Sequence, residues 1–262
     1  MMQASLTFLS SRTGKPRNTG ITMVMDKGLS VRQAEDVVNA ASDYIDFVKF
    51  GFGTGLISNN IAEKVRVYQK AGISTFPGGT LFEAFVIRDE FDEYRKLLKK
   101  LKCDTVEVSD GSIKMDHKIK CRYIKELAKD FIVLSEVGSK EASRQIKAED
   151  WVDMMQKELR AGATKVIGEG RESGSAGIFS PSGKAHISLI REILSHIELD
   201  QIIWEAPLKS QQAWFIKEFG PNVNLGNIPY QEALALETIR LGLRVDTFFH
   251  FLPAKFHKFQ PK

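Results

Sequence analysis

Cysteine is nearly missing from this chain: 262 residues hold only Cys103 and Cys121. Both fall outside any Cys-x-x-Cys or Cys/His metal spacing, and two cysteines build no disulfide framework, so each is read as a packing or surface thiol. Long apolar runs are missing too. No stretch approaches the ~18 uninterrupted apolar residues of a membrane span. The N-terminus shows no basic start, apolar core and cleavage site in sequence, so a cytoplasmic protein is expected. Nor is there an excess of one charge: 37 Lys and Arg face 33 Asp and Glu, a formal net charge of +4. That balance favours anionic ligands only weakly. The cluster Lys96, Lys99, Lys100 and Lys102 lies among Glu93, Leu97, Leu98 and Leu101, the pattern of a wet helix face, and nucleic acid is not expected as a partner.

What is present is an alternation. Short runs rich in Val, Ile and Phe, at Ile21–Met25, Tyr44–Phe50, Ile73–Phe76, Thr105–Val108, Phe131–Ser135, Lys165–Gly168, Gln201–Trp204 and Val223–Leu225, are separated by amphipathic stretches. In those stretches Val31, Ala34, Val38 and Ala41 share one helical face, as do Ile61, Val65 and Tyr68, and Trp151, Met155 and Leu159. Ser30 and Ser58 read as helix caps, and Gly72 and Gly162 as helix stops. Nearly continuous apolar strands alternating with helices predict a parallel sheet covered on both faces. Eight repeats make a closed α/β barrel, a single (β/α)₈ TIM barrel, more economical than an open sheet. One domain over residues 1–262 is expected, with accessory ends at about 1–16 and 251–262 and a long glycine-rich loop, Glu169–Gly183, after the sixth strand.

In such a barrel the active site forms at the carboxyl ends of the strands, so the residues after each apolar run are the informative ones. Here they are rich in charge: Asp26 and Lys27; Lys49; Gly78 and Gly79; Glu107 and Asp110; Glu136 and Lys140; Glu169, Arg171, Ser173 and Gly174; Glu205; Asn224, Gly226 and Asn227. Any one of these could simply cap a helix. Glu107, Glu136, Glu169 and Glu205, however, recur at the same place in four successive units. Converging carboxylates repel one another unless a cation, a bound proton or nearby lysines compensate, and Mg²⁺ is the natural oxygen-binding partner. The expected metal set is drawn from Glu107, Asp110, Glu136, Glu169 and Glu205. Arg171 offers a bidentate fork to phosphate or carboxylate. Lys27, Lys49 and Lys140 are compact charges able to move protons. Lys27 joins Gly78, Gly79, Ser173, Gly174, Asn224, Gly226 and Asn227 as the expected substrate- and phosphate-binding set, the glycines through close backbone N–H approach.

The blocks Asp-Tyr-Ile-Asp-Phe-Val-Lys-Phe-Gly at 43–51, Pro-Gly-Gly-Thr-Leu-Phe-Glu at 77–83, Glu-Val-Ser-Asp-Gly at 107–111, Ser-Glu-Val-Gly-Ser-Lys at 135–140, Glu-Gly-Arg-Glu-Ser-Gly at 169–174, Glu-Ala-Pro at 205–207, Asn-Leu-Gly-Asn-Ile at 224–228 and Asp-Thr-Phe at 246–248 resemble the phosphosulfolactate synthase family. They run in family order from about Lys15 to His250. Lys-Pro-Arg at 15–17 and the Asp-Thr-Phe-Phe ending resemble its bacterial, bacillus-type branch, in which sulfolactate rather than coenzyme M is the expected end product; Gly226 stands where relatives are expected to carry alanine. The resemblance implies Mg²⁺-dependent addition of sulfite to phosphoenolpyruvate, giving (2R)-phospho-3-sulfolactate through an aci-carboxylate. It implies Lys140 as the acid that protonates carbon, with Lys49 and Arg171 binding phosphate or sulfite. Barrels of this kind often associate, so a homo-oligomer, a trimer for example, is expected. Two other readings stand beside this one. A barrel aldolase would use Lys49 or Lys165 as a Schiff-base nucleophile. A non-catalytic relative, of the kind that resembles plant heat-stress-associated proteins, would have lost the charged ring.

Overall fold

The structure is a computed structural model that describes residues 6–138 and 146–260. Its eight strands are β1 (Thr22–Asp26), β2 (Phe47–Phe50), β3 (Ser74–Pro77), β4 (Thr105–Val108), β5 (Ile132–Val137), β6 (Lys165–Gly168), β7 (Ile202–Glu205) and β8 (Leu225–Pro229). All the pairings are parallel, and the hydrogen-bonded order runs β3-β2-β1-β8-β7-β6-β5-β4. The two ends of that order, β3 and β4, meet at a seam where side chains bridge instead: the Gly79 N–H donates to Glu107 Oε1 at 2.6 Å and the Ser74 hydroxyl to Asp104 Oδ2 at 2.9 Å. The molecule is therefore a nearly closed (β/α)₈ barrel, as the eightfold alternation predicts.

Side chains alternate along each strand between the barrel interior and the helix layer. The helix-facing set, including Val24, Val48, Phe50, Val166, Trp204 and Ile228, joins Ala34, Val65, Tyr68, Trp151, Met155 and Ile239 of the helices in the main core. The interior holds a smaller plug of Ile21, Met23, Phe76, Leu134, Ile167 and Ile203, with Phe47 against it. Two residues further along four of the strands, the inward position turns charged: Phe47 is followed by Lys49, Leu134 by Glu136, Ile167 by Glu169 and Ile203 by Glu205. The charged ring is thus the layer directly above an apolar floor. Sheet alternation requires it to face inward.

Local signals account for most boundaries. Ser30 caps the helix Val31–Ala41 in a reciprocal box with Gln33, and Gly162 ends Ala148–Ala161 in the left-handed conformation. Three expectations need correction. Ser58 caps no following helix; it closes the short turn Thr54–Ile57, and Asn60 precedes Ile61–Lys70 without a side-chain cap. β2 starts at Phe47, because Ser42–Tyr44 form a 3₁₀ turn. β8 lies further along than Val223–Leu225, because pairing to β1 draws in Gly226, Asn227 and Pro229, residues of poor strand propensity.

The segment containing Arg12 and Arg17 is stitched across the amino-terminal side of the barrel. Arg12 pairs with Glu237 at 2.8 Å and Arg17 with Asp46 at 2.9 Å. Phe8 packs against Phe256 near the carboxyl terminus in a tilted ring pair, 5.4 Å between ring centres. Between β6 and helix Ile187–Leu194 the glycine-rich stretch holds no helix or strand, but it is anchored: the Ile178 N–H bonds Glu169 O at 2.9 Å and Gln211 Nε2 bonds Gly174 O at 2.8 Å.

Candidate active site

At the carboxyl ends of the strands a cavity of about 300 Å³ is lined by Met25, Lys49, Phe52, Gly78, Gly79, Thr80, Glu107, Ser112, Glu136, Glu169, Arg171, Glu172, Glu205 and Asn227, among others. Among the described lining residues, five carboxylates face one lysine and one arginine around a space large enough for a small organic anion, and Lys27 pairs with one of the five, Glu172, at the rim. Converging carboxylates of this kind are stabilised by nearby positive charge or by bound protons.

Lys49 supplies part of that positive charge. It is buried, and its Nζ lies 2.9 Å from Glu107, 3.0 Å from Glu205 and 3.5 Å from Glu136. Burial opposes its charge, but the attraction of those three carboxylates wins, holding the ammonium well above the ordinary lysine range. Lys49 is therefore a fixed cation. Burial likewise pushes the Glu107 carboxyl up to about 7, with Lys49 pulling it down and Glu136 and Glu205 adding to the rise.

The five carboxylates of the expected metal set divide. Glu136, Glu169 and Glu205, all buried, each offer an oxygen within 4.8 Å of the others. Glu107 has both oxygens engaged, one by the Gly79 N–H and the other by Lys49. Asp110 turns away to Lys120, 2.9 Å from its Nζ. Backbone donors hold the triad at its base: the Gly170 N–H donates to Glu205 Oε2 at 3.0 Å and the Arg171 N–H to Glu169 Oε1 at 2.6 Å. Gly138 lets the β5 end come this close, since a Cβ there would sit 2.4 Å from Glu169 Cβ and its φ is +138°.

The expected phosphate-binding set divides more sharply. Gly78 and Gly79 line the cavity, but their N–H groups are committed, Gly78 to Phe50 O at 2.9 Å and Gly79 to Glu107. They shape the wall instead of donating to a ligand. Asn224 is at the opposite end of the barrel, where its Oδ1 accepts from the Ile21 N–H and its Nδ2 donates to Asp200 O and Ile202 O. Gly226 is an interior packing position, where a Cβ would lie 2.4 Å from Met23 Cε. Ser173 bonds Ser175, and Gly174 is tied to Gln211; neither lines the cavity. Lys27 lies on the rim, ion-paired with Glu172 and over the Phe52 ring.

Asn227 does reach the cavity. Two residues of β1, Thr22 and Val24, pair with Leu225 and Ile228, so β8 carries an extra residue there. Asn227 in that bulge has φ +55°. The bulge re-aims its side chain into the mouth, where its buried Oδ1 has no hydrogen-bond partner among the described residues. Lys140 lies outside the described residues. Lys165, the other lysine of the aldolase reading, bonds Asp200 O at 2.6 Å at the amino-terminal end of β6, far from the cavity lining.

Met25, Phe52 and Ser112 line the cavity without having been singled out in the sequence. Phe52 carried the only cue, an aromatic between Gly51 and Gly53 directly after an apolar strand.

A profile of the (2R)-phospho-3-sulfolactate synthase (ComA) family matches residues 10–246. The phosphosulfolactate synthase of Bacillus subtilis is 45% identical over 245 residues, covering 92% of this chain and 97% of that one. The phosphosulfolactate synthase of Methanothermobacter thermautotrophicus is 46% identical over 243 residues, covering 90% and 94%. Among solved structures, 3-hexulose-6-phosphate synthase from Salmonella typhimurium superimposes with a TM-score of 0.54 at 16% identity, over 86% of this chain and all of that one, a likeness of fold alone. With the mouth charges in place and relatives this similar along nearly their whole length, the chain belongs to the phosphosulfolactate synthase family and is an enzyme of that type.

Proposed function

We propose that this enzyme adds sulfite to phosphoenolpyruvate with the help of Mg²⁺, forming (2R)-phospho-3-sulfolactate. The observation that carries the metal is the buried triad Glu136, Glu169 and Glu205, whose oxygens lie within 4.8 Å of one another in the cavity lining. Three hard oxygen donors with room for substrate oxygens suit Mg²⁺. When bound, the ion supplies the positive charge that a substrate carboxylate gaining electrons requires.

The remaining steps belong to the chain's own groups. Sulfite sulfur donates its lone pair to the methylene carbon of phosphoenolpyruvate, forming the C–S bond. The double-bond electrons move into the carboxylate, and a proton then returns them to the carbon bearing phosphate. Lys49, held protonated by its carboxylates, acts as a fixed charge near the reacting anions and not as the proton donor. Lys140 has that role by family resemblance. Arg171, in the cavity lining, grips phosphate or sulfite with its fork, and Asn227 contributes a polar contact from the end of β8.

The charged state of Lys49 also weighs against the aldolase reading, which needs a neutral amine to form an imine. Burial does lower the pKa of Lys165, with Asp200 opposing, but that lysine stands outside the cavity lining.

The test is a ³¹P NMR time course of phosphoenolpyruvate and sulfite with the enzyme. Loss of the substrate resonance should be matched by one new phosphate ester in the presence of Mg²⁺, and by none after chelation. Lys140→Ala should slow turnover about 10²–10⁴-fold, the usual contribution of a positioned acid. A lysine adduct trapped by borohydride during turnover would contradict the scheme.

A further inference from the structure

Behind the strand ends, on the helix side of the barrel, lies a second buried charge cluster. Lys120 projects from helix His117–Leu127, and its buried neighbours on that helix, Ile124 and Leu127, form an ordinary apolar stripe. A lysine at the first position of that stripe is costly to bury unless fully paired. It is fully paired: its Nζ lies 2.8 Å from Glu158 Oε1 and 2.9 Å from Asp110 Oδ1, and donates to the Glu136 backbone carbonyl at 2.6 Å.

These partners come from three elements. Glu158 is fully buried on helix Ala148–Ala161 and also contacts His117 Nε2 at 3.0 Å. Asp110 begins the β4 loop, which carries Ser112 to the cavity. Glu136 is one of the triad. An interhelical ion pair would need only Lys120 and Glu158; the short bond to a triad residue's main chain is not required for joining helices.

We propose that Lys120 is a positioning residue for the reaction: it clamps the main chain at Glu136 from behind, and so sets where that carboxylate points into the mouth. The proposal rests on the metal-triad reading for its consequence, though not for the clamp itself. Partners behind the ligands of metal sites typically change affinity 10–100-fold when removed.

The test compares Lys120→Met with Ile124→Val, a variant on the same helix stripe that leaves the polar cluster intact. Hydrogen exchange without metal, read on peptides spanning 132–138, should accelerate at least tenfold more in Lys120→Met than in Ile124→Val. Mn²⁺ affinity, read by electron paramagnetic resonance, should fall about tenfold or more in Lys120→Met and stay within twofold in Ile124→Val. If Lys120→Met does not fold, Glu158→Gln takes its place, with the same directions expected. Unchanged exchange at 132–138, or Mn²⁺ affinity within twofold of wild type, overturns the proposal. Absence of Mn²⁺ binding in the wild-type enzyme instead overturns the triad reading, and the exchange result then decides the clamp alone.

Discussion

Lys49 sits among Glu107, Glu136 and Glu205 with little access to water. Its removal should strand three buried carboxylates, so Lys49→Met is expected to lose about 3–5 kcal/mol of stability, the usual penalty for removing one partner of a buried ion pair. A divalent cation would take over part of the neutralisation. The rise in melting temperature on adding Mg²⁺ should therefore be larger in Lys49→Met than in the wild-type enzyme, by thermal unfolding with and without metal; an equal or smaller rise contradicts the shared-charge picture. The residue types at this site were legible because inward positions of successive strands turn from apolar to charged together. Side-chain direction was not legible. Within the one block Asn-Leu-Gly-Asn, Asn224 faces the floor, Gly226 the interior and Asn227 the mouth. A strand rising about 3.3 Å per residue carries neighbouring positions to different levels of the barrel, and the bulge that turns Asn227 inward depends on pairing with β1.

At the scale of elements, the seam between β3 and β4 closes through a tight approach. A Cβ on Gly79 would sit 2.3 Å from Ser109 Oγ and 2.9 Å from Glu107 Oε1, so helix Gly79–Val86 can begin there only with glycine. Gly79→Ala should lower stability by about 1–3 kcal/mol through overpacking. Gly79→Ala combined with Ser109→Gly should recover part of that loss in urea unfolding; equal losses in the single and double variants would locate the strain elsewhere. The sequence marked all eight strands, because each is a short apolar run between helical patterns. It placed the last at Val223–Leu225, whereas tertiary pairing carries that strand on through Gly226, Asn227 and Pro229. Lys120 escaped notice for the converse reason: it occupies an apolar-stripe position, and nothing local reveals the partners that Asp110, Glu136 and Glu158 bring from three other segments.

For the molecule as a whole, two buried charge systems link folding to pH and to metal. Burial works against the charge of Glu158, but Lys120 attraction and hydrogen bonds from His117, Lys120 and Ser135 win and hold its carboxyl below the ordinary value of 4.5. A depressed carboxylate stabilises the fold above its unfolded value and loses that contribution as pH falls through the folded value. The stability gap between the wild-type enzyme and Glu158→Gln should thus be wide at pH 7 and shrink towards pH 3 in urea unfolding; a gap independent of pH would remove Glu158 from the linkage. Among the described residues no helix is long and apolar enough to cross a membrane, and the buried apolar residues form three clusters. The mouth, among the described residues, is lined by more carboxylates than cations. That imbalance is tested most directly by Mn²⁺ titration of the wild-type enzyme, Glu169→Gln and Glu107→Gln, read by electron paramagnetic resonance. One ion per chain is predicted for the wild type, with binding lost in Glu169→Gln and kept in Glu107→Gln; no binding in the wild type, or binding untouched by Glu169→Gln, would contradict a cation held by Glu136, Glu169 and Glu205.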